Sequence, residues 1–108
     1  NQQSLDKFEP LVKRGGVLIY DPNGISRHPV RKDIAVYAID ATAEAARMGN
    51  MRVFNTMILG GYLKVRPQVL VENVMKGLAK SLPERLHKLL PANEEAIRHG
   101  MEIIRKVE

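Results

Sequence analysis

Apolar side chains recur at two different periods along this chain, and each change of period marks the border of an element. Leu5, Phe8, Leu11 and Val12 fall at helical spacing among Asp6, Lys7 and Glu9. That predicts a short helix or turn over 4–12, interrupted near Pro10, which lacks a backbone donor and clashes with the preceding turn. Gly15-Gly16 then lets the chain turn into Val17-Leu18-Ile19-Tyr20, an unbroken β-branched and apolar run. A run with no polar face suits a parallel strand covered on both sides. Asp21-Pro22-Asn23-Gly24 closes it with turn chemistry, and a polar loop leads to a second strand over 34–39.

Helical periodicity takes over after Asp40, which is placed to cap a helix over 41–48 rich in Ala43, Ala45 and Ala46 and ended by Gly49. Residues 53–65 are almost all apolar or small, so this helix belongs at the centre of the packing. Its Gly60-Gly61 pair lowers helix propensity, which implies close approach by another backbone. Val71, Val74, Met75 and Leu78 form one stripe over 71–80, suited to the core or a subunit contact. Ser81, Pro83 and Glu84 supply a helix start, and Pro91 kinks or restarts that helix. The last helix is predicted to carry Ala96, Ile97, Met101, Ile104 and Val107 on one side.

Two strongly apolar strands and several helices predict an α/β fold. Two strands cannot bury both faces and both edges of a parallel sheet by themselves, so the pattern is that of a partial domain lacking a preceding segment. The first two strands are expected to be parallel neighbours covered by the helices over 41–48 and 53–65. A four-helix bundle with an attached hairpin is the alternative. The chain has 108 residues, enough for one modest core. No apolar run approaches the ~20 residues that cross a bilayer, and Asn1-Gln2-Gln3-Ser4 does not open a signal peptide. A cytoplasmic protein without membrane partners is expected.

Charge and chemistry narrow the picture further. The net charge is +5, suited to nucleic acid, a phosphate-bearing cofactor or an acidic protein. With two Phe, three Tyr and no Trp, the chain lacks aromatics interleaved with its cations, which disfavours nucleic acid. Cysteine is absent, so disulfides, a thiolate nucleophile and cysteine-ligated metal centres are excluded within these residues. There is no P-loop, nucleophile elbow or complete G-x-G-x-x-G. His28, His87 and His99 are widely separated, and none belongs to a metal-ligand spacing. Arg27-His28-Pro29-Val30-Arg31-Lys32 is the densest positive cluster, either a solvated loop or a contact for phosphate or an acidic partner. Asp21 sits where open α/β sheets place functional groups, yet Asp-Pro is also an ordinary turn. Asn50 is placed to help the chain reverse after the alanine-rich helix, while Arg52 and Asn55 would hold the following helix through buried contacts, and the same donors could instead reach a ligand.

The segments Asn1-Gln2-Gln3-Ser4-Leu5-Asp6-Lys7-Phe8, Val12-Lys13-Arg14-Gly15-Gly16-Val17-Leu18-Ile19-Tyr20, Ala41-Thr42, Gly49-Asn50-Met51-Arg52-Val53, Asn55, Leu59-Gly60 and Leu89-Leu90-Pro91-Ala92-Asn93-Glu94-Glu95-Ala96-Ile97 follow one another in a distinctive order. Through them the chain resembles the C-terminal half of the gamma subunit or domain of the 2-oxoacid:ferredoxin or flavodoxin oxidoreductases. The resemblance implies a Rossmann-like three-layer domain with a parallel sheet, preceded by a glycine-rich half that carries G-x-G-G-Q-G and is absent from these 108 residues. It also implies a hetero-oligomeric complex that oxidatively decarboxylates a 2-oxoacid such as pyruvate or 2-oxoglutarate, the latter slightly favoured. The products are acyl-CoA, carbon dioxide and electrons for ferredoxin or flavodoxin.

By the same resemblance, thiamine diphosphate and iron–sulfur clusters sit on other subunits or domains, and this chain alone binds no cofactor. Its part is assembly and the coenzyme A side of the site. No catalytic residue is carried over, and the chain alone is expected to be inactive. The cofactor-binding candidates are Arg27, Arg31, Asn50, Arg52 and Asn55. A noncatalytic α/β scaffold or regulatory module is the competing expectation, with nucleic-acid binding behind it.

Overall fold

The computed structural model describes residues 2–107; Asn1, which opens the first resembling segment, and Glu108 lie outside them. Eleven elements follow in order. Helix α1 (Gln2–Phe8) gives way at Pro10 to a 3-10 turn, Glu9–Leu11, and strand β1 (Val17–Tyr20) follows. Next come β2 (Ala35–Ala38), α2 (Ala41–Arg47), the 3-10 turn Met51–Val53 and α3 (Phe54–Val65). Helix α4 (Val71–Ser81), the 3-10 stretch Glu84–Leu89, α5 (Leu90–Ile103) and β3 (Arg105–Val107) complete the chain.

The sheet runs β1-β2-β3, with β1 and β2 parallel, Val17 opposite Ala35 and Tyr20 opposite Ala38. The expected parallel pairing of the first two strands is therefore present. The sheet as a whole is mixed, because β3 joins β2 antiparallel, with Ala38 opposite Arg105 and Val36 opposite Val107. This corrects the expectation of a parallel sheet, and with it the last helix. Ile104 leaves the helical region at φ −66°, ψ 136°, and the residues after it pair with β2 instead of prolonging α5. Ile104 and Val107 sit at helical spacing, but the β2 edge offers ladder bonds that continued helix would leave unmade.

The parallel crossover from β1 to β2 contains no helix. Residues 21–34 form a loop strapped to α1 and its 3-10 turn. Gln2 Oε1 accepts from the backbone N–H of Ser26 and Arg27, and Glu9 Oε2 from those of Val30 and Arg31. Gln2 of the first helix and Glu9 of its 3-10 turn thus satisfy loop donors that would otherwise need water.

The core gathers where the end of β2 meets α2, α3 and α5. Ile39, Met57 and Ile97 are its largest fully buried side chains, and Ala41, Ala45, Val53 and Ala96 cluster with the first two. Each of the three large residues contributes about 1.5–3 kcal/mol by leaving water. Helices α3 and α5 touch through glycine, as Gly60-Gly61 implied. A Cβ on Gly60 would overlap the Ile97 carbonyl and lie 2.7 Å from its carbon, and one on Gly100 would overlap the Met57 carbonyl. Gly49, at φ 70°, ends α2. Its N–H donates to the Ala46 carbonyl and that of Asn50 to the Ala45 carbonyl, both at 3.0 Å, a Schellman closure.

Two expected caps are placed differently. Ser81 is the last residue of α4, and its hydroxyl donates back to the Gly77 carbonyl rather than opening the next helix. Asp40 precedes α2 but makes no side-chain cap bond. Pro91 does restart the chain as a helix, in the first turn of α5. Among the described residues, no helix is long and apolar enough to cross a membrane.

Candidate functional site

The carboxyl ends of parallel strands are where open α/β sheets place ligands, because helices begin there and the strands diverge. At this end of β1 and β2, a groove of about 450 Å³ is lined by Leu5, Phe8, Tyr20, Ile25, Phe54 and Ile58, with Asp21, Asn23 and Thr42 at its polar side. Asp21 organises it. Its Oδ2 accepts from the Thr42 N–H at 2.7 Å and the Thr42 hydroxyl at 2.6 Å, and its Oδ1 accepts from the Asn23 N–H at 2.9 Å. The α2 cap therefore comes from the end of β1, twenty-one residues away, and not from the adjacent Asp40. Asp21 is a latch between strand and helix, and both its oxygens are occupied.

Tyr20 points its hydroxyl at His28 Nδ1, 2.8 Å away, with the rings edge to face at 5.9 Å. Partial burial is the main influence that raises the Tyr20 pKa above the ordinary phenol value; Asp40 adds to the rise and Arg105 opposes it. Tyr20 therefore stays a neutral donor-acceptor at physiological pH.

The five cofactor-binding candidates fall into two groups. Arg27 and Arg31 lie on the loop between β1 and β2. Arg27 is largely exposed and pairs with Asp6 at 2.8 Å, so each holds the other in its charged form. Arg31 is committed within the chain. Its Nη1 donates to the carbonyls of Glu9 and Val12, and its Nε and Nη2 grip the two oxygens of Asp33. It lines a groove at the amino ends of the strands with Lys32 and Lys106, opposite the Asp21 end.

Asn50, Arg52 and Asn55 share the turn that opens α3. Asn50 Oδ1 caps the 3-10 turn by accepting the Arg52 N–H at 3.1 Å. Arg52 and Asn55 are exposed, so the buried contacts considered for them from sequence are absent and their side-chain donors face solvent.

The histidines also separate. Because carbonyls only accept, His87 Nε2 carries its proton and donates to the Ala79 and Leu82 carbonyls at 2.8 and 3.1 Å, closing the end of α4. His99 Nε2 meets Glu44 Oε2 at 2.6 Å, and the same oxygen accepts from Arg47. Those hydrogen bonds, that of Arg47 first and His99 second, hold the Glu44 carboxyl below its usual range. Sequence reasoning missed this link between α2 and α5, as it missed the Asp21–Thr42 latch. The partners are far apart in sequence, and only the resemblance had drawn attention to Thr42.

The family model described as pyruvate ferredoxin/flavodoxin oxidoreductase matches residues 1–103. The chain belongs to that family. No curated protein matches it. Among solved structures, it is similar to the gamma subunit of a keto/oxoacid ferredoxin oxidoreductase from Geobacter sulfurreducens PCA, with a TM-score of 0.78 and 23% identity over 94% of this chain. At that identity the likeness is one of fold. The chain spans 59% of the length of that subunit.

For this member of the pyruvate ferredoxin/flavodoxin oxidoreductase family, the donor set bounds what the segment can hold. It contains no cysteine, and among the described residues no group of three or more His, Asp or Glu is placed to bind a metal ion. The residues present do not fit a cysteine-ligated iron–sulfur cluster.

Proposed function

We propose that this chain is the C-terminal portion of a gamma-type subunit or domain in a 2-oxoacid:ferredoxin or flavodoxin oxidoreductase, and that it supports assembly without carrying the chemistry. The family match over residues 1–103 is the observation that carries this reading. The two sheet edges add a physical argument. β3 is short and presents exposed Arg105 and Lys106, the usual defence of an open edge. β1 presents Val17, Leu18, Ile19 and Tyr20, all half-buried, with no charge or proline. An undefended apolar edge is suited to another strand, here assigned to a glycine-rich N-terminal half that would complete a larger Rossmann-like, three-layer domain.

The complex would act in the cytoplasm and convert a 2-oxoacid, 2-oxoglutarate ahead of pyruvate, to acyl-CoA and carbon dioxide. When bound, thiamine diphosphate supplies the decarboxylation chemistry and iron–sulfur clusters the electron path to ferredoxin or flavodoxin, both on other subunits or domains. In this segment Arg27, Arg52 and Asn55 keep exposed donors for the coenzyme A side, whereas Arg31 and Asn50 act by holding the loops in place.

Native mass spectrometry of the endogenous complex, with metal and cofactor analysis, tests the placement. Co-isolation with subunits carrying thiamine diphosphate and iron is expected; recovery of the full-length protein as a monomer without them would overturn it. In an anaerobic assay with ferredoxin, thiamine diphosphate and coenzyme A, the isolated chain should give background turnover only.

A further inference from the structure

The turn that closes β1 holds the one asparagine of this chain that is followed by glycine, Asn23-Gly24. Asn1, Asn50, Asn55, Asn73 and Asn93 all precede a residue with a side chain. The difference is chemical. The backbone nitrogen after an asparagine is placed to attack the side-chain Cγ, and a Cβ on the attacking residue hinders it. Glycine has none.

Folding ordinarily suppresses this reaction by holding the asparagine side chain or by committing the next N–H. Both restraints operate elsewhere in the chain. Asn50 Oδ1 accepts the Arg52 N–H, and the Asn93 amide bridges the Thr56 hydroxyl and the Leu89 carbonyl. The N–H after Asn73, that of Val74, donates to the Leu70 carbonyl, and Asn55 stands inside α3 before β-branched Thr56.

Neither restraint operates at Asn23. Residues 22–25 form a turn closed by the Ile25 N–H on the Pro22 carbonyl at 3.1 Å, with Gly24 at φ 76° in its third position, where glycine is favoured. Among the described residues, the Asn23 side-chain amide and the Gly24 N–H have no hydrogen-bond partner. Both residues are exposed, and nothing lies within 4 Å of the position a Gly24 Cβ would take. Water reaches the reacting atoms, and the side chain is free to turn.

We infer that Asn23-Gly24 is a site of self-modification in the folded protein, where loss of the asparagine amide puts aspartate or isoaspartate at the lip of the groove beside Asp21. The Gly24 nitrogen, after giving its proton to hydroxide, bonds to Asn23 Cγ; the bond from Cγ to the side-chain nitrogen breaks and ammonia leaves. Water then opens the cyclic imide. Attack at Cγ yields aspartate on the original backbone, and attack at the main-chain carbonyl carbon yields isoaspartate, whose backbone runs through Cβ and Cγ. Asparagine and water become acid and ammonia, with no redox change. Either product adds a carboxylate where Asn23 was neutral, next to Asp21 and Thr42. Isoaspartate also lengthens the turn by one backbone atom, which breaks the bond from Ile25 to Pro22 and draws Ile25 from the groove wall. The groove thus becomes more anionic as the molecule ages, whichever subunits surround it.

The test is incubation of purified, folded full-length protein in warm, mildly alkaline heavy-oxygen water, followed by peptide mapping and enzymatic methylation of isoaspartate. Asn23 should take up one heavy oxygen at least about tenfold faster than Asn50, Asn55, Asn73 or Asn93, and within about tenfold of its own rate in urea-unfolded protein. Asn23→Gln keeps the backbone bond to Asp21 and should remove the isoaspartate signal. Conversion at Asn23 only after unfolding, conversion no faster than at the other asparagines, or isoaspartate that persists in Asn23→Gln would overturn the inference. The isoaspartate form, separated by anion exchange, should unfold at a lower urea concentration than both the unmodified protein and Asn23→Asp, which gains the charge without the extra atom. An isoaspartate form with the unmodified midpoint would overturn the opening of the turn.

Discussion

Replacing Gly60 by alanine adds one methyl group where the backbones of α3 and α5 approach each other through glycine. The added Cβ would overlap the Ile97 carbonyl and lie 2.7 and 2.8 Å from the Ile97 carbonyl carbon and Cα. Carbon atoms pack comfortably at ~3.5–4.0 Å, so the helices must separate locally by about 1 Å. The obstacle is helix backbone, which cannot swing aside as a side chain can. Overpacking of this kind costs about 1–3 kcal/mol and sometimes more, against a helix-propensity gain of about 1 kcal/mol. Since separation also loosens the fully buried Met57, Ala96 and Ile97, a net loss of about 2 kcal/mol is expected. Gly100→Ala meets the Met57 carbonyl in the same way and should cost a similar amount. Both changes act on one helix separation, so the double variant should lose at least about 1 kcal/mol less than the sum of the singles. Gly77 in α4 is the control. Nothing lies within 4 Å of its added Cβ, and Gly77→Ala should stabilise by about 0.5–1 kcal/mol. Urea unfolding of the full-length variants, followed by far-UV circular dichroism, measures all four. If Gly60→Ala stabilised as Gly77→Ala does, or if the two core substitutions were additive, the close α3–α5 contact would be refuted.

Two further outcomes follow from the polar contacts. Asp21→Ala leaves the Thr42 N–H, its hydroxyl and the Asn23 N–H without their acceptor and should cost about 1–2 kcal/mol in urea unfolding. Asp40→Ala should cost under about 0.5 kcal/mol, and the reverse ranking would show that the adjacent residue is the cap. Asp6, Asp33 and Glu44 are held below their ordinary values of 3.8, 3.8 and 4.5, chiefly by hydrogen bonds from Arg27, Arg31 and Arg47. The folded chain binds fewer protons at these sites than the unfolded one. Their stabilisation is therefore complete above the ordinary carboxylate range and is lost as pH falls through the lowered folded values. The urea midpoint should fall with acid in that window, and Arg47→Met should flatten the part due to Glu44; a midpoint independent of pH there would contradict these ion pairs.

Local chemistry was enough to place much of this fold. Val17–Tyr20 reads as a strand because a short apolar run with β-branched and aromatic residues between two turn signals suits a covered strand, and Ala35–Ala38 falls inside the predicted 34–39. Gly49 ends α2 because positive φ suits glycine, and Pro10 and Pro91 break or restart helices through the donor they lack. Gly60-Gly61 even announced a close approach. It could not name Ile97 or Gly100, since the partner helix lies about forty residues further on.

The candidate site was legible only in part for the same reason. Asn50 caps a turn two residues away, a local act, but Arg31 is consumed by carbonyls of Glu9 and Val12 that no spacing rule connects to it. Asp40 had the better local claim to cap α2, yet Asp21 takes the role because the sheet brings the end of β1 over Thr42. Ile104 and Val107 kept helical period, yet the chain leaves the helix because the open edge of β2 offers backbone bonds in register. Propensity and capping act over a few residues and so are written in order along the chain. Which distant backbone group, carboxylate or sheet edge lies within reach is decided only when the layers pack, and there the larger non-local gain overrides the local preference.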